Sequence, residues 1–94
     1  MTKLTPQAVA TLERVGLVTV LERIAELCDD HGQAKHGDRG WEGLTDAQLT
    51  GKLLGHLGKH MVGAFIDPQS RRMHLFHAIS RGLQLGEKWA RLKG

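Results

Sequence analysis

The sequence predicts an all-α protein, a small helical bundle of three main helices preceded by one short helix and assembled as an oligomer. Apolar residues recur every three or four positions, which is typical of one face of a helix. Capping patterns precede these segments, and no segment alternates between apolar and polar residues as a half-buried strand does. A chain of 94 residues buries only a small core, so we expect its helices to pack against a second copy. Residues 1–16 are expected to form a short N-terminal helical extension, and residues 17–94 the helical domain.

The first two helices are predicted from a cap and from an apolar stripe. Thr5 stands before Pro6, which suits an N-cap followed by proline at the first helical position, and Gly16 is expected to end this helix. The second helix is expected to run from about Leu17 to residues 31–32. Four residues at helical spacing form its apolar face, namely Leu17, Leu21, Ile24 and Cys28. We therefore expect Cys28 to be a small core residue.

The third and fourth helices begin at two further capping signals. Thr45 is followed three positions later by Gln48, which is a capping-box pattern. This pattern predicts a helix over residues 46–64. Asp67 precedes a proline and is expected to cap the last helix, which continues to about Trp89.

Composition and charge restrict the class of protein. The formal net charge of +3 suits an anionic ligand such as a nucleotide, but it is too small to predict binding to duplex DNA. Tyrosine is absent and phenylalanine is scarce, which argues against a stacking platform for single strands. No apolar run reaches the length of a membrane span, and the first residues carry no apolar signal segment. With one cysteine, no internal disulfide is possible, so we expect a cytoplasmic protein that does not enter a membrane.

Two of the six histidines are spaced to share a metal ion. His56 and His60 are four residues apart and fall on one face of the third helix, within its apolar stripe. Imidazoles at this spacing can bind one ion, but without a third ligand the pattern is weak. The alternative is a pair of core histidines that hydrogen-bond to other helices, since an unpaired buried polar group costs about 1–3 kcal/mol.

The last helix carries a second polar stripe. His74, His77 and Arg81 lie on one face, which is either solvated or an anion site in which the arginine pairs with phosphate. Asp67 either caps the helix or joins a metal site with the histidines. Ser70 either completes the cap or binds phosphate at the helix N-terminus.

The glycine-rich loop over residues 32–43 offers a further candidate site. Lys35, Arg39 and Trp41 can supply a contact to a phosphate and a base, although the loop matches no P-loop. Trp41 is also expected to anchor the loop to the core. An acidic ridge precedes the loop and consists of Glu22, Glu26 and Asp29. These carboxylates are either solvated or able to hold Mg²⁺ against nucleotide phosphates.

Three stretches of the chain resemble a known family. They are residues 23–32 (RIAELCDDHG) leading into 35–41 (KHGDRGW), residues 53–57 (LLGHL), and residues 67–70 (DPQS) followed by 74–78 (HLFHA). In these the chain resembles the small helical family described as the dATP/dGTP diphosphohydrolase N-terminal domain, found largely in bacteriophages. The chain departs from the family pattern where it has Gly55 in place of arginine, Gly40 in place of asparagine and His60 in place of an aromatic residue.

The resemblance implies a function directed at purine deoxynucleotides. It implies hydrolysis of a deoxynucleoside triphosphate to the monophosphate and pyrophosphate with a divalent metal, expected to be Mg²⁺, in the host cytoplasm if a phage encodes the chain. The alternative is a non-catalytic helical protein-interaction module of phage origin. The residues that we assign on these grounds are His56, Asp67, His74 and His77 for catalysis, His56, Asp67 and His77 for the metal, and Lys35, Ser70 and Arg81 for phosphate.

Overall fold

A computed structural model describes residues 4–32 and 37–93 and confirms the all-α prediction. Its four α-helices are α1 (Pro6–Arg14), α2 (Val18–Leu27), α3 (Asp46–Met61) and α4 (His74–Lys93). A π-helical turn (Cys28–Gly32) extends α2, and a short 3₁₀ helix (Gly40–Gly43) precedes α3. Within the described ranges the only β-type pairing is an isolated antiparallel bridge between Ile66 and Met73. None of the described helices is both long and apolar enough to cross a bilayer.

The predicted caps of α1 and α3 are present. The Thr5 hydroxyl accepts a hydrogen bond from the Ala8 amide at 3.1 Å, with proline at the first helical position. At α3 the Thr45 hydroxyl accepts from the Gln48 amide at 3.1 Å, and the Gln48 side chain accepts from the Thr45 amide at 2.8 Å. These bonds satisfy backbone N–H groups that have no partner inside a helix, so the local sequence alone fixes both starts.

The antiparallel pair of α3 and α4 forms the centre of the molecule, and α2 packs against α4. Leu49 of α3 is fully buried, and the other buried apolar side chains are Ile24, Leu27 and Ala78. A Cβ atom added at Gly82 would lie 3.5 Å from Leu53 Cδ1, so α4 approaches α3 closely at this glycine.

Polar bonds join the start of α3 to the end of α4. Lys88 Nζ lies 2.9 Å from the Leu44 carbonyl oxygen and 3.0 Å from Asp46 Oδ1. The Trp89 indole N–H donates to Asp46 Oδ2 at 3.0 Å. The hydrogen bond from Lys88, followed by the one from Trp89, lowers the pKa of Asp46, so this carboxylate stays ionised.

Three sequence predictions about element boundaries and burial are wrong. The last helix begins at His74 rather than beside Asp67, because residues 67–73 form a turn closed by the bridge between Ile66 and Met73. The third helix ends at Met61 rather than near residue 64, since Gly63 takes a left-handed backbone with φ 88°. Cys28 is exposed and not in the core.

Candidate functional site

The candidate site is a cluster of side chains from α3, from the turn after it, and from the first turn of α4. His56 comes from α3, Asp67 and Ser70 come from the turn, and His74 and His77 come from α4. One donor atom each from His56, Asp67 and His77 lies within 4.8 Å of the other two. The rings of His56 and His77 stack at 4.6 Å between centroids with 14° between their planes. The residues predicted from sequence as metal ligands are therefore neighbours in space.

His56 is oriented by a second histidine. Its Nδ1 lies 2.8 Å from Nδ1 of His74, so one of these nitrogens carries the proton and the other accepts the hydrogen bond. Burial, followed by the neighbouring charge of His74, lowers the pKa of His56 below its ordinary value of 6.5. His56 is therefore mostly neutral at pH 7, which is the form that ligates metals.

His77 is the most strongly perturbed member of the cluster. Burial, and next the proximity of His56, lower its pKa from 6.5 to about 4, against the opposing effect of Asp67. The Ser70 hydroxyl lies 2.6 Å from His77 Nε2, and Asp67 Oδ2 lies 3.5 Å from the same nitrogen. Because His77 is neutral at pH 7, the contact with Asp67 is not a salt bridge between two charged groups.

Asp67 is held as a carboxylate. Burial raises the pKa of Asp67. The Gln69 amide, which donates to Asp67 Oδ1 at 2.9 Å, lowers this pKa, and so do the nearby histidines. The lowering is the larger effect, and the histidines concerned are His77, His74 and His56. The net pKa lies below the ordinary value of 3.8, so the group is ionised at neutral pH. Since Gln69 bonds Oδ1, the second oxygen is the one that faces His77.

The turn that carries Asp67 and Ser70 is held by its own backbone hydrogen bonds and by contacts to the segment that follows α2. The Asp67 amide donates to the Arg72 carbonyl at 2.9 Å, and the Arg71 amide donates to the Asp67 carbonyl at 2.7 Å. Arg71 adopts a left-handed backbone with φ 61°. The Arg72 guanidinium bonds Asp30 of the π-helical turn and lies 4.0 Å from Glu26 of α2, which ties the turn to the neighbouring helix.

A cavity of about 270 Å³ adjoins the cluster, between α2 with its π-helical turn and α4. His77 and Arg81 both line it. Arg81 is half-buried and donates to Gln84 Oε1 at 3.0 Å. Burial lowers the pKa of Arg81, with a smaller opposing effect from Cys28, and among the described residues no carboxylate forms an ion pair with it. Such a guanidinium is suited to an anionic ligand.

Not every predicted residue belongs to this cluster. Lys35 lies outside the described residues. His60 faces Phe65, with ring centroids 5.3 Å apart, and its buried Nδ1 has no hydrogen-bond partner among the described residues. Ser70 bonds His77 and does not stand at a helix N-terminus, so that part of its prediction is wrong. In the acidic ridge, Glu26 pairs with Arg23 at 2.7 Å.

Sequence reasoning missed His31. It lies on the π-helical turn, lines the cavity, and its ring meets His77 edge-on at 5.4 Å between centroids. No sequence signal marks it, because a π-helical turn shifts the residues after Leu27 away from the regular helical face.

The arrangement combines three neighbouring donor atoms with the Arg81 guanidinium and an adjoining cavity. Two neutral imidazoles and a carboxylate are a donor set that binds divalent metals. Comparison of the chain with family models, with curated proteins and with solved structures found no match. Two observations therefore bear on function, namely the geometry of the cluster and the resemblance carried by three stretches of the chain.

Proposed function

We propose that this chain is a metal-dependent hydrolase of purine deoxynucleoside triphosphates that releases the monophosphate and pyrophosphate. The observation that carries the proposal is the set of donor atoms from His56, Asp67 and His77 within 4.8 Å of one another. This set lies beside a cavity lined by Arg81, a half-buried cation without a carboxylate partner among the described residues. The resemblance to dATP/dGTP diphosphohydrolases supports the choice of substrate.

The donor set favours a transition-metal ion. Two imidazole nitrogens and one carboxylate oxygen suit Mn²⁺, Co²⁺ or Zn²⁺, whereas Mg²⁺ prefers oxygen ligands and retains several waters. The Mg²⁺ expected from the resemblance stays a prediction and is one arm of the test below. When bound, the ion would polarise the phosphate and lower the pKa of a bound water.

The side chains divide the remaining tasks. In the reaction a water oxygen bonds to the α-phosphorus, the bond from that phosphorus to the pyrophosphate oxygen breaks, and the water gives up a proton. His74 is the histidine outside the three-donor set, so we assign proton transfer to it as well as the orientation of His56 through the 2.8 Å contact between their Nδ1 atoms. Ser70 orients His77, and Arg81 neutralises phosphate charge together with Lys35.

The test is pyrophosphate release from dATP and dGTP with Mn²⁺, Zn²⁺ or Mg²⁺. We expect release from the wild type with at least one ion, and we expect His77→Ala to lower the rate about 100-fold or more because it removes a donor. His60→Ala is the matched control, since it removes a histidine outside the cluster. Circular dichroism checks that each variant is folded.

Two results would reject the assignment. A wild type that releases no pyrophosphate with any of the three ions is not the proposed hydrolase. A folded His77→Ala protein with full activity would remove His77 from the site.

A second candidate, a non-catalytic helical interaction module, is favoured by a different observation. Exposed apolar side chains cluster at the end of α3 and in the residues that follow it, namely Met61, Val62, Phe65 and Ile66. Monomeric proteins rarely expose large apolar patches, and such patches mark contact sites. Under this function the histidines are structural, so His77→Ala lowers the melting temperature and no nucleotide raises it.

Under the hydrolase function we propose instead that these four residues, the apolar patch at the end of α3, contact a second copy of the chain. The core of one chain is small, and its fully buried large side chain is Leu49. Covering the patch with the same patch of another copy would bury more apolar surface. Light scattering in solution measures the assembly directly.

A further inference from the structure

The cavity beside the cluster extends away from the metal donors along α4. Its wall on this helix includes His77, Arg81, Gln84 and Glu87. Glu87 lies ten residues after His77, which corresponds to about 15 Å along the helix at 1.5 Å per residue. The cavity therefore has one end at the proposed phosphate-binding groups and a second end that the proposed hydrolysis does not yet use.

Trp41 stands at this second end as a fixed aromatic surface. It belongs to the short 3₁₀ helix, lines the cavity and is half-buried. The Arg91 guanidinium lies 5.6 Å from the centroid of its ring, and Arg91 is held by Glu87 at 2.7 Å and by Glu42 at 3.7 Å. Because Glu87 also lines the cavity, these bonds place the ring at the end remote from His77.

We propose that this end of the cavity is a nucleobase site, in which a guanine base stacks on Trp41 and the carboxylate of Asp38 accepts hydrogen bonds from its edge. The proposal rests on the proposed function for the phosphate end. A cavity of about 270 Å³ is at the small end of the range for ligand sites, which suits one planar base more than a bulky ligand. Apolar side chains also line it, as a stacked base requires, namely Ile24, Leu27 and Leu83.

The choice of guanine follows from the chemistry of Asp38. A carboxylate only accepts hydrogen bonds. Guanine presents N1–H and the N2 amino group side by side, so one carboxylate can accept from both, whereas adenine presents one amino group beside the acceptor N1. Thymine has no amino group and offers a single N–H between two carbonyl oxygens. Asp38 lines the cavity together with Trp41, so it can reach the edge of a base stacked there.

The first experiment uses the fluorescence of Trp41. The chain has two tryptophans, so Trp89→Phe leaves Trp41 as the single reporter. This variant is titrated without metal with dGMP, dAMP, dTMP and inorganic tripolyphosphate. We expect saturable binding of dGMP, at least tenfold weaker binding of dAMP and dTMP, and no comparable response to tripolyphosphate. Equal responses to tripolyphosphate and dGMP would overturn the base site.

The second experiment measures dGMP affinity by calorimetry in two pairs of variants. Trp41→Leu should weaken binding about tenfold or more, because the stacking surface is lost, and Trp89→Leu is its matched control. Asp38→Asn should reduce the preference for dGMP over dAMP, while Glu13→Gln, at an exposed carboxylate of α1 outside the cavity wall, should leave it unchanged. Unchanged affinity in folded Trp41→Leu, or an unchanged preference in Asp38→Asn, would overturn the assignment of that residue.

The two proposals fail in different ways. If dGMP changes Trp41 fluorescence but no ion supports pyrophosphate release, the base site stands and the hydrolase is rejected. If pyrophosphate is released from dGTP and Trp41→Leu leaves KM unchanged, the hydrolase stands and the base site is rejected.

Discussion

At the scale of single residues, the backbone of Arg71 is strained. Its φ of 61° is left-handed, a conformation that costs a side-chain-bearing residue about 1–2 kcal/mol and glycine almost nothing. We expect Arg71→Gly to leave the free energy of unfolding unchanged or to raise it by up to about 1 kcal/mol. Arg71→Val should lower it by about 1–2 kcal/mol, because a β-branched residue fits this region worst. Urea denaturation measures both, and a valine variant as stable as the wild type would contradict the strain.

The buried neutral state of His77 makes stability depend on pH. In the unfolded chain its pKa is near 6.5, and in the folded protein it is about 4, so between these values the unfolded state binds more protons. Stability is therefore complete above about pH 6.5 and falls as the pH drops toward 4, by up to about 3 kcal/mol from this group. His56, whose pKa is also lowered, acts in the same direction.

Urea unfolding of the metal-free protein, in EDTA at pH 7.5 and at pH 4.5, checks this dependence. The wild type should lose more stability between the two conditions than His77→Gln, which has no imidazole to protonate. An equal loss in both proteins would show that His77 does not carry the effect.

At the scale of elements, the sequence predicted what local chemistry decides. The caps at Thr5 and Thr45 depend on side chains within three residues of the helix start, and both starts were predicted correctly. Asp67 has the same local appearance of a cap, but its turn is held by the bridge between Ile66 and Met73 and by the bond of Arg72 to Asp30. The bond of Arg72 joins residues far apart in the chain, and the bridge lies beyond the first residues of a helix start, so the local capping pattern reveals neither.

Packing between α3 and α4 depends on Leu49. This side chain is fully buried, so Leu49→Ala should lower the free energy of unfolding by about 2–5 kcal/mol through lost burial and the cavity left behind. Leu54→Ala is the matched control on the same helix, because Leu54 is 58% exposed and its loss should cost well under 1 kcal/mol. Similar losses in the two variants, measured by chemical denaturation, would contradict this packing of α3 against α4.

At the scale of the whole molecule, the apolar patch at the end of α3 predicts an assembly larger than the 10.4 kDa chain. Val62→Lys should shift the mass measured by light scattering toward that of the monomer, because a charge within an apolar interface is costly to desolvate. Leu92→Lys, at an exposed position on the last turn of α4, should leave the mass unchanged. A wild type that is monomeric at all concentrations tested would reject the assembly.

Most members of the candidate site could be predicted from the sequence, but His31 and the geometry of the site could not. The spacing of His56, His74 and His77 selected them as candidates, yet spacing on separate helices does not tell which rings meet. A solvated face is one of the two interpretations of the polar stripe that contains His74 and His77. In the structure both histidines are buried. His31 reaches the cluster only because the π-helical turn and α4 pack together, which is a tertiary effect.

The bonds of Lys88 and Trp89 to the start of α3 lie at the opposite end of the helix pair from the histidines. These polar bonds join the two helices at one end, and the histidine cluster lies at the other end. The bonds of Asp46 involve none of the histidines, so substitutions in the histidine cluster remove none of these contacts. In evolutionary terms, this separation lets the side chains of the histidine cluster vary by point mutation while the bonds that join the two helices are kept.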